Sequence, residues 1–263
     1  MSHYPLTEEQ IAFYRQNGYV QLLNVLTAEE LEAVRQAVDE VMTKPLEKAF
    51  DRVGHNPEYD KVFHQKVNLW REHEGIKRFV FSPKLAEIAR RLAGVARIRL
   101  WHDHALVKMP GDSKPSPWHQ DLPYWPMNEE GALSCWMALD DVDENNGCMA
   151  FIPGSHKVGR LDPINLVNPQ DIFGFEASGH LKGIQPAVMR MPAGSCTFHN
   201  GLTFHYAFPN RTDKPRRAMI VIYMPDGTTY SGKRHICTDG LNLEVGQPLA
   251  GELFPILASS QYL

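Results

Sequence analysis

The sequence lacks the features that define several common classes of protein. It has four cysteines in 263 residues and none forms a Cys-x-x-Cys pair, so neither a zinc ribbon nor a thioredoxin-like site is indicated. No apolar run approaches the roughly 18 residues of a membrane span, and the N-terminus lacks the basic and apolar regions of a signal peptide. A formal net charge of −4 gives no basic footprint for nucleic acid. We therefore expect a cytoplasmic protein with free thiols, no membrane span and no nucleic-acid partner; the oligomeric state stays unknown.

Hydrophobic periodicity divides the chain into a helical part and a β part. Capping boxes begin at Thr7 and Thr27, and a further helix is predicted between Ser82 and Gly94. After Gly94 the period changes from about 3.6 to 2, and short strand-like runs alternate with turns that contain glycine and proline. Many short strands are typical of a sandwich or a barrel. We predict a mainly β fold with flanking helices, a double-sheet jelly roll.

The same pattern predicts a single domain over residues 1–263. Residues 1–94 would form mostly helical support, residues 95–225 the jelly-roll core, and residues 226–263 a C-terminal extension without an assigned structure. Within the core, residues 159–183 have no clear periodicity, so we interpret them as a candidate lid.

A histidine and an aspartate lie two positions apart in the aromatic run of residues 117–126. On a strand, His119 and Asp121 would point to the same face, so that an imidazole nitrogen and a carboxylate oxygen converge. Two histidines and one carboxylate on one face form the non-haem iron(II) arrangement. Alone, a His-x-Asp pair is more often a surface histidine beside a hydrogen-bonding aspartate. A third ligand from elsewhere in the chain is therefore required.

His205 is the candidate for the third ligand, because it lies in an aromatic strand that a turn follows. Arg216 comes eleven residues later, and in a hairpin that distance would return it to the neighbouring strand beside His205. A guanidinium group binds a carboxylate in a bidentate fork. A metal beside a buried arginine suits 2-oxoglutarate, which has one chelating end and one carboxylate end. The alternative is a surface pair with Asp213, which we favour for Arg217 because alternation places it on the opposite face.

His102 and His104 offer a competing metal site of the cupin type, since they share a strand face. A cupin site would need a glutamate about four residues further on, and residues 105–108 contain none. We therefore predict a hydrogen-bonding role for both histidines. A cupin-like protein that binds a metal or a ligand without 2-oxoglutarate, or without catalysis, is the alternative function.

Four ordered motifs together resemble the phytanoyl-CoA dioxygenase family of iron(II)- and 2-oxoglutarate-dependent oxygenases. The motifs are His119-Gln120-Asp121-Leu122 with Tyr124 and Pro126, Asn145-Asn146-Gly147-Cys148, Ile152-Pro153-Gly154-Ser155-His156, and His205 with Pro209-Asn210 and Arg216. The resemblance covers the chain as far as about Met224. It implies a cupin-like double-stranded β-helix that uses iron(II), 2-oxoglutarate and O₂ on a small-molecule substrate.

The resemblance also implies roles for individual residues. His119, Asp121 and His205 would be the iron ligands, and Arg216 would bind the distal carboxylate of 2-oxoglutarate. The remaining implied cosubstrate contacts are Trp136, Lys66 and Gln120. Where the family often has a small hydroxyl residue, this chain has Ala207, which would remove one cosubstrate hydrogen bond.

The carboxylate ligand and the flanking aromatic residues bear on the reaction. Halogenating relatives replace the carboxylate with a small residue, so the presence of Asp121 favours hydroxylation of an unactivated C–H bond, with release of succinate and CO₂. Trp118, Tyr124 and Trp125 would face the substrate. No basic patch large enough for a CoA thioester is evident.

Overall fold

A computed structural model describes residues 3–52, 56–111 and 113–260. The last residues of the predicted C-terminal extension lie outside these ranges. Within the ranges there are five α-helices: α1 (Glu8–Asn17), α2 (Ala28–Thr43), α3 (Pro57–Val62), α4 (Glu74–Val80) and α5 (Pro83–Ala93). The strands are β1 (Tyr19–Leu22), β2 (Phe50–Asp51), β3 (His64–Val67), β4 (Arg97–Lys108), β5 (Ser116–His119), β6 (Leu133–Ala138), β7 (Met149–Phe151), β8 (Ala187–Met189), β9 (Cys196–Asn200), β10 (His205–Ala207), β11 (Arg216–Pro225) and β12 (Ile256–Ser259).

The N-terminal helices begin where the capping boxes predict. The Thr7 and Thr27 side chains each accept a hydrogen bond from the backbone N–H of the third helical residue. The side chain of that residue in turn accepts the backbone N–H of the threonine. Gly18 ends α1 with a φ of 83°, a left-handed conformation that favours glycine. None of the helices in the described ranges is both long enough and apolar enough to cross a membrane.

The strands form two antiparallel sheets. The larger sheet has the order β1-β9-β6-β11-β4-β3-β2, with β12 paired to the first residues of β4, and the smaller has the order β5-β10-β7-β8. Residues from both sheets share one hydrophobic core, which includes Trp101, Trp136 and Phe151. The prediction of a mainly β jelly roll with flanking helices is confirmed.

Alternation along β11 separates two cores. Met219, Val221 and Tyr223 pack with the helices on the outer face of the larger sheet. Ile220 and Ile222 point the other way, into the core between the sheets. Successive side chains on a strand point to opposite faces, so each central strand is buried on both sides. The interior between the sheets is therefore where a functional site can be enclosed.

Two sequence-based expectations about the strands are wrong. Asp121 does not share a strand with His119, because β5 ends at His119 and Asp121 lies in the following turn. His205 and Arg216 are not on neighbouring strands of a hairpin, because β10 belongs to the smaller sheet and β11 to the larger one. The intervening turn crosses from one sheet to the other.

The candidate lid, residues 159–183, contains two short 3₁₀ helices, Ile172–Gly174 and Glu176–Leu181. Ile172 and Leu181 pack against Phe204 in a small cluster of their own. The segment therefore covers one side of the smaller sheet; its closure on a substrate stays a prediction.

We expect Leu85→Ala, at a fully buried site in α5, to lower the free energy of unfolding by about 2–5 kcal/mol. Leu23→Ala is the matched control, because Leu23 is 50% exposed and its loss should change stability by less than about 0.5 kcal/mol. Urea titration of both variants measures the difference. Equal losses of stability in the two variants would contradict the burial of Leu85 in the core.

Candidate iron and 2-oxoglutarate site

Strand pairing brings the two candidate histidine ligands together. His119 at the end of β5 and His205 at the start of β10 are direct cross-strand partners, and their ring centroids lie 4.1 Å apart. The Nδ1 atom of His119 is 2.6 Å from the Pro117 carbonyl oxygen, and that of His205 is 3.0 Å from the Thr203 carbonyl oxygen. Because a carbonyl only accepts, Nδ1 carries the proton in both rings and the Nε2 lone pairs are free to bind a metal.

Asp121 completes the cluster from the turn after β5. Its backbone N–H donates to the Gly201 carbonyl oxygen at 2.9 Å, which fixes the turn. Its Oδ1 lies 3.5 Å from Nε2 of His119 and 3.5 Å from Nε2 of His205. One possible ligand atom from each of the three residues lies within 4.8 Å of the others. Two imidazole nitrogens and one carboxylate oxygen are a donor set that fits iron(II) and leaves coordination positions open.

The second oxygen of Asp121 is held by the larger sheet. Ser134 Oγ donates to Asp121 Oδ2 at 3.2 Å, and His199 Nε2 donates to the same oxygen at 3.3 Å. Ser134 and His199 are cross-strand partners on β6 and β9. Burial opposes ionisation of Asp121, but the surrounding histidines, with His205 foremost, hold the pKa of its carboxyl well below the ordinary value. The carboxylate is therefore ionised and oriented before any ligand binds.

Sequence reasoning missed Ser134 and His199. A signal for His199 was available, because on β9 it lies on the face opposite Cys196 and Phe198, which pack with the helices. That placement directs the imidazole into the interior between the sheets.

Arg216 is a buried cation without a hydrogen-bond partner among the described residues. Its side chain is 1% exposed, and none of its three guanidinium nitrogens makes a hydrogen bond to any residue that the structure describes. The guanidinium carbon lies 5.1 Å from the ring centroid of Trp136, over the indole face. Burial lowers the pKa of Arg216 to about 10, so it stays charged at neutral pH. A buried charge of this kind is costly unless a counter-ion joins it, and a carboxylate matches its fork.

A cavity of about 920 Å³ lies beside the three-residue cluster, and Trp136, whose ring Arg216 covers, forms part of its wall. His119, Asp121 and His205 line it from the side of the smaller sheet, and Trp136 lines it from the larger sheet. Its wall also has an aromatic component, made by Phe50, Tyr59, Phe63, Tyr124 and Trp125. The predicted positions of Trp136, Tyr124 and Trp125 therefore lie on the cavity wall.

The structure corrects the prediction that Lys66 lines the cosubstrate pocket. Its ammonium group donates to the carbonyl oxygens of Val41 and Lys44 and lies 2.9 Å from an Asp51 carboxylate oxygen. The neighbouring residues Gln65 and Val67 line the cavity instead, because alternation along β3 turns Lys66 to the other face.

The predicted cosubstrate contact of Gln120 and the predicted substrate contact of Trp118 are also wrong. The Gln120 amide donates to the carbonyl oxygens of Gly159 and Leu202, and its oxygen accepts the Leu161 N–H, so the side chain ties the start of the candidate lid to the core. Trp118 packs against Phe173 and Tyr206, outside the cavity lining. Neither side chain is placed to contact a cosubstrate or a substrate.

The fold and the site together define an iron(II)- and 2-oxoglutarate-dependent dioxygenase. A sequence model described as phytanoyl-CoA dioxygenase (PhyH) matches residues 14–218. The chain belongs to this family. The alternative of a cupin-like protein that uses His102 and His104 without 2-oxoglutarate does not fit the relatives, which are dioxygenases dependent on that cosubstrate.

Solved structures and curated sequences give the same class. The non-heme alpha-ketoglutarate-dependent carbocyclase SnoK from nogalamycin biosynthesis is 31% identical, with a TM-score of 0.84 over 98% of this chain and 100% of that one. A probable alpha-ketoglutarate-dependent hypophosphite dioxygenase of Stutzerimonas stutzeri is 27% identical over 82% of this chain and 77% of its own length. The peroxisomal phytanoyl-CoA dioxygenase of Rattus norvegicus is 26% identical, over 91% of this chain and 75% of its own length.

We expect His199→Leu to weaken iron(II) binding by about 10–100-fold, because groups that orient a metal ligand commonly contribute that much. Anaerobic titration with iron(II), followed by equilibrium dialysis, measures the affinity. His180→Leu is the matched control, since His180 is exposed and distant from the cluster in the sequence. Unchanged affinity in His199→Leu would remove His199 from the support of Asp121.

Proposed function

We propose that this dioxygenase hydroxylates an unactivated C–H bond of a small organic substrate, with His119, Asp121 and His205 as the iron ligands. The observation that carries the proposal is the buried, unpartnered Arg216 in the same interior as the three-residue cluster. Bound iron(II) and 2-oxoglutarate supply the oxidative decarboxylation that consumes O₂ and releases succinate and CO₂. The retained carboxylate of Asp121 favours hydroxylation over halogenation.

Arg216 would hold the distal carboxylate of 2-oxoglutarate. Its guanidinium lies over the Trp136 ring, and Trp136 in turn lines the cavity, so only this wall residue is known to lie between the guanidinium and the cavity. The low-dielectric surroundings strengthen such a charge pair. The arrangement places one end of the cosubstrate at the metal and the other end in the core of the larger sheet.

Ser116 supplies the hydroxyl that Ala207 does not. Ala207 and Ser116 are cross-strand partners on β10 and β5, and both line the cavity. Ser116 Oγ is buried and makes no hydrogen bond within the described residues. A hydroxyl in this position can donate to a carboxylate of bound 2-oxoglutarate, and without a ligand it is an unsatisfied buried donor.

Relatives support oxygen insertion into small molecules. They include proteins named methylphosphonate hydroxylase, from Gimesia maris, and ectoine dioxygenase, from Bordetella parapertussis. We also propose a cytoplasmic location, because all four cysteines are free and buried, as in proteins of a reducing compartment.

Asp121→Ala and His205→Ala should each abolish substrate-dependent formation of succinate, because two ligands do not hold the metal in a facial arrangement. Succinate production under air, with iron(II) and 2-oxoglutarate present, is the measurement. Full activity in either variant would refute the assignment of the iron ligands.

Arg216→Gln should raise the concentration of 2-oxoglutarate required for half-maximal activity at least about 30-fold. Removing one partner of a buried charge pair costs about 2–5 kcal/mol, and each 1.4 kcal/mol is about tenfold. Arg217→Gln is the matched control, since Arg217 pairs with Asp140 and Asp39 on the other face of the strand. An unchanged requirement in Arg216→Gln would move the carboxylate partner elsewhere.

Ser116→Ala should raise the same requirement by a smaller factor of about 3–10-fold, as expected for the loss of one hydrogen bond of about 0.5–1.5 kcal/mol. The iron affinity should not change, because Ser116 does not contact the ligand cluster. A Ser116→Ala variant with wild-type dependence on 2-oxoglutarate would contradict the role of the hydroxyl.

A further inference from the structure

The wall of the cavity opposite the iron cluster contains a second group of histidines. His102 and His104 project from β4 of the larger sheet, and His235 comes from the C-terminal extension. The His102 ring centroid lies 5.6 Å from that of His104 and 5.7 Å from that of His235. All three line the cavity that holds the iron cluster. We call this group the histidine wall.

The histidine wall includes a buried ring nitrogen that has no hydrogen-bond partner among the described residues. Burial lowers the pKa of His104 and of His235 to about 4, so both rings are neutral at pH 7. His104 Nδ1 is buried and has no hydrogen-bond partner among the described residues. His235 Nδ1 accepts the Cys237 backbone N–H at 3.1 Å, so Nε2 is the atom of this ring that carries a proton. The wall can therefore donate to an oxygen-rich ligand.

Cationic side chains surround the histidine wall. Arg52, Lys233 and Arg234 line the same cavity, where Asp239 pairs with Arg234 at 3.1 Å. Within the described residues neither Arg52 nor Lys233 forms an ion pair with a carboxylate; Arg52 lies over the Tyr59 ring at 5.3 Å, and the Lys233 ammonium donates to a backbone carbonyl. Two cations at this end of the cavity thus have no counter-ion.

A second metal ion is a competing interpretation, because ligand atoms of His102, His235 and Cys237 lie within 4.8 Å of one another. Three observations disfavour it. The Asn68 amide donates a hydrogen bond to the Cys237 sulfur at 3.5 Å and so occupies this atom. His235 Nδ1 is occupied by a backbone N–H. The unpaired Arg52 and Lys233 repel a cation and attract an anion.

We propose that the histidine wall, with Arg52 and Lys233, binds an anionic oxygen group of the substrate, either a carboxylate or a phosphoryl group. The apolar body of the substrate would lie along the aromatic part of the cavity, which includes Phe63 and Trp125. This inference rests on the proposed function, because it identifies the cavity as the substrate site of the dioxygenase. It also gives the C-terminal extension a role, since Lys233 and His235 lie beyond residue 218, where the family match ends.

Binding of matched probes to the full-length protein tests the proposal. The protein is loaded anaerobically with iron(II) and saturating 2-oxoglutarate, so that Arg216 is occupied, and titrated calorimetrically with 2-naphthoate, 2-naphthyl phosphate and the neutral 2-naphthamide. At least one anion should bind about tenfold tighter than the amide, and the tighter of the two identifies the anionic group. The preference should fall at high salt, because screening weakens such attraction.

Variants that remove a charge test which residues cause the tighter binding of the anionic probes. Arg52→Gln combined with Lys233→Gln should abolish the advantage of the anions over the amide. Arg52 is half-buried and Lys233 is exposed, so we expect the variant to fold. Lys157→Gln, which removes an exposed charge away from the cavity lining, should leave the advantage intact. Equal binding of all three probes to the wild-type protein would overturn the proposal. So would a second equivalent of Zn²⁺ that is retained by wild type and lost in Cys237→Ala.

The same samples separate this proposal from the proposed function. Chelation of iron(II) by 2-oxoglutarate gives a weak visible charge-transfer band, which reports on the iron site alone. A band without anion preference would overturn the substrate inference and leave the dioxygenase assignment in place. Anion preference without a band would refute the iron and cosubstrate assignment while supporting the anion site.

Discussion

The site depends on one antiparallel pairing, that of β5 with β10. This pairing places His119 directly opposite His205, and backbone carbonyls on both strands fix the two imidazoles with Nε2 turned to the same point. Asp121 follows from the turn that leaves β5, because its N–H is bound to the Gly201 carbonyl. A one-residue slip in this register would send His205 to the opposite face. The backbone ladder therefore determines how the proposed metal ligands are arranged.

The larger sheet supplies the complementary charges. Arg216 and Lys108 are cross-strand partners, both almost completely buried, and burial holds the pKa of Lys108 well below its usual value. The only hydrogen bond of the Lys108 ammonium among the described residues goes to the Lys114 carbonyl. The buried guanidinium of Arg216, which stays charged, is therefore short of negative charge around it. The distal carboxylate of 2-oxoglutarate would correct that imbalance, so that a bound cosubstrate would stabilise the folded protein as well as take part in the chemistry.

Local sequence patterns predicted the mainly β fold, the capped helices and the identity of the clustered residues His119, Asp121 and His205. They failed where the position of a residue depends on how strands that are distant in the sequence are arranged. The turn after His205 crosses between sheets, so Arg216 reaches the site from the opposite wall, and no spacing rule distinguishes that from a hairpin. Lys66 was misplaced because a shift of one residue on a strand reverses the face. His199 was missed because its partner Asp121 lies 78 positions away in the sequence.

The division of roles between the two sheets also explains how such a site can change its substrate without losing its chemistry. The two proposed histidine ligands lie on the smaller sheet, whereas Ser134 and His199, which hydrogen-bond to Asp121, lie on the larger one. Contacts that fix the metal are therefore made by paired strands, which leave little freedom for substitution. The opposite end of the cavity is built partly by Lys233 and His235 in the C-terminal extension, whose irregular backbone is free of that constraint. If this end of the cavity binds the substrate as proposed, variation there would alter substrate recognition and leave the geometry of the proposed iron ligands unchanged.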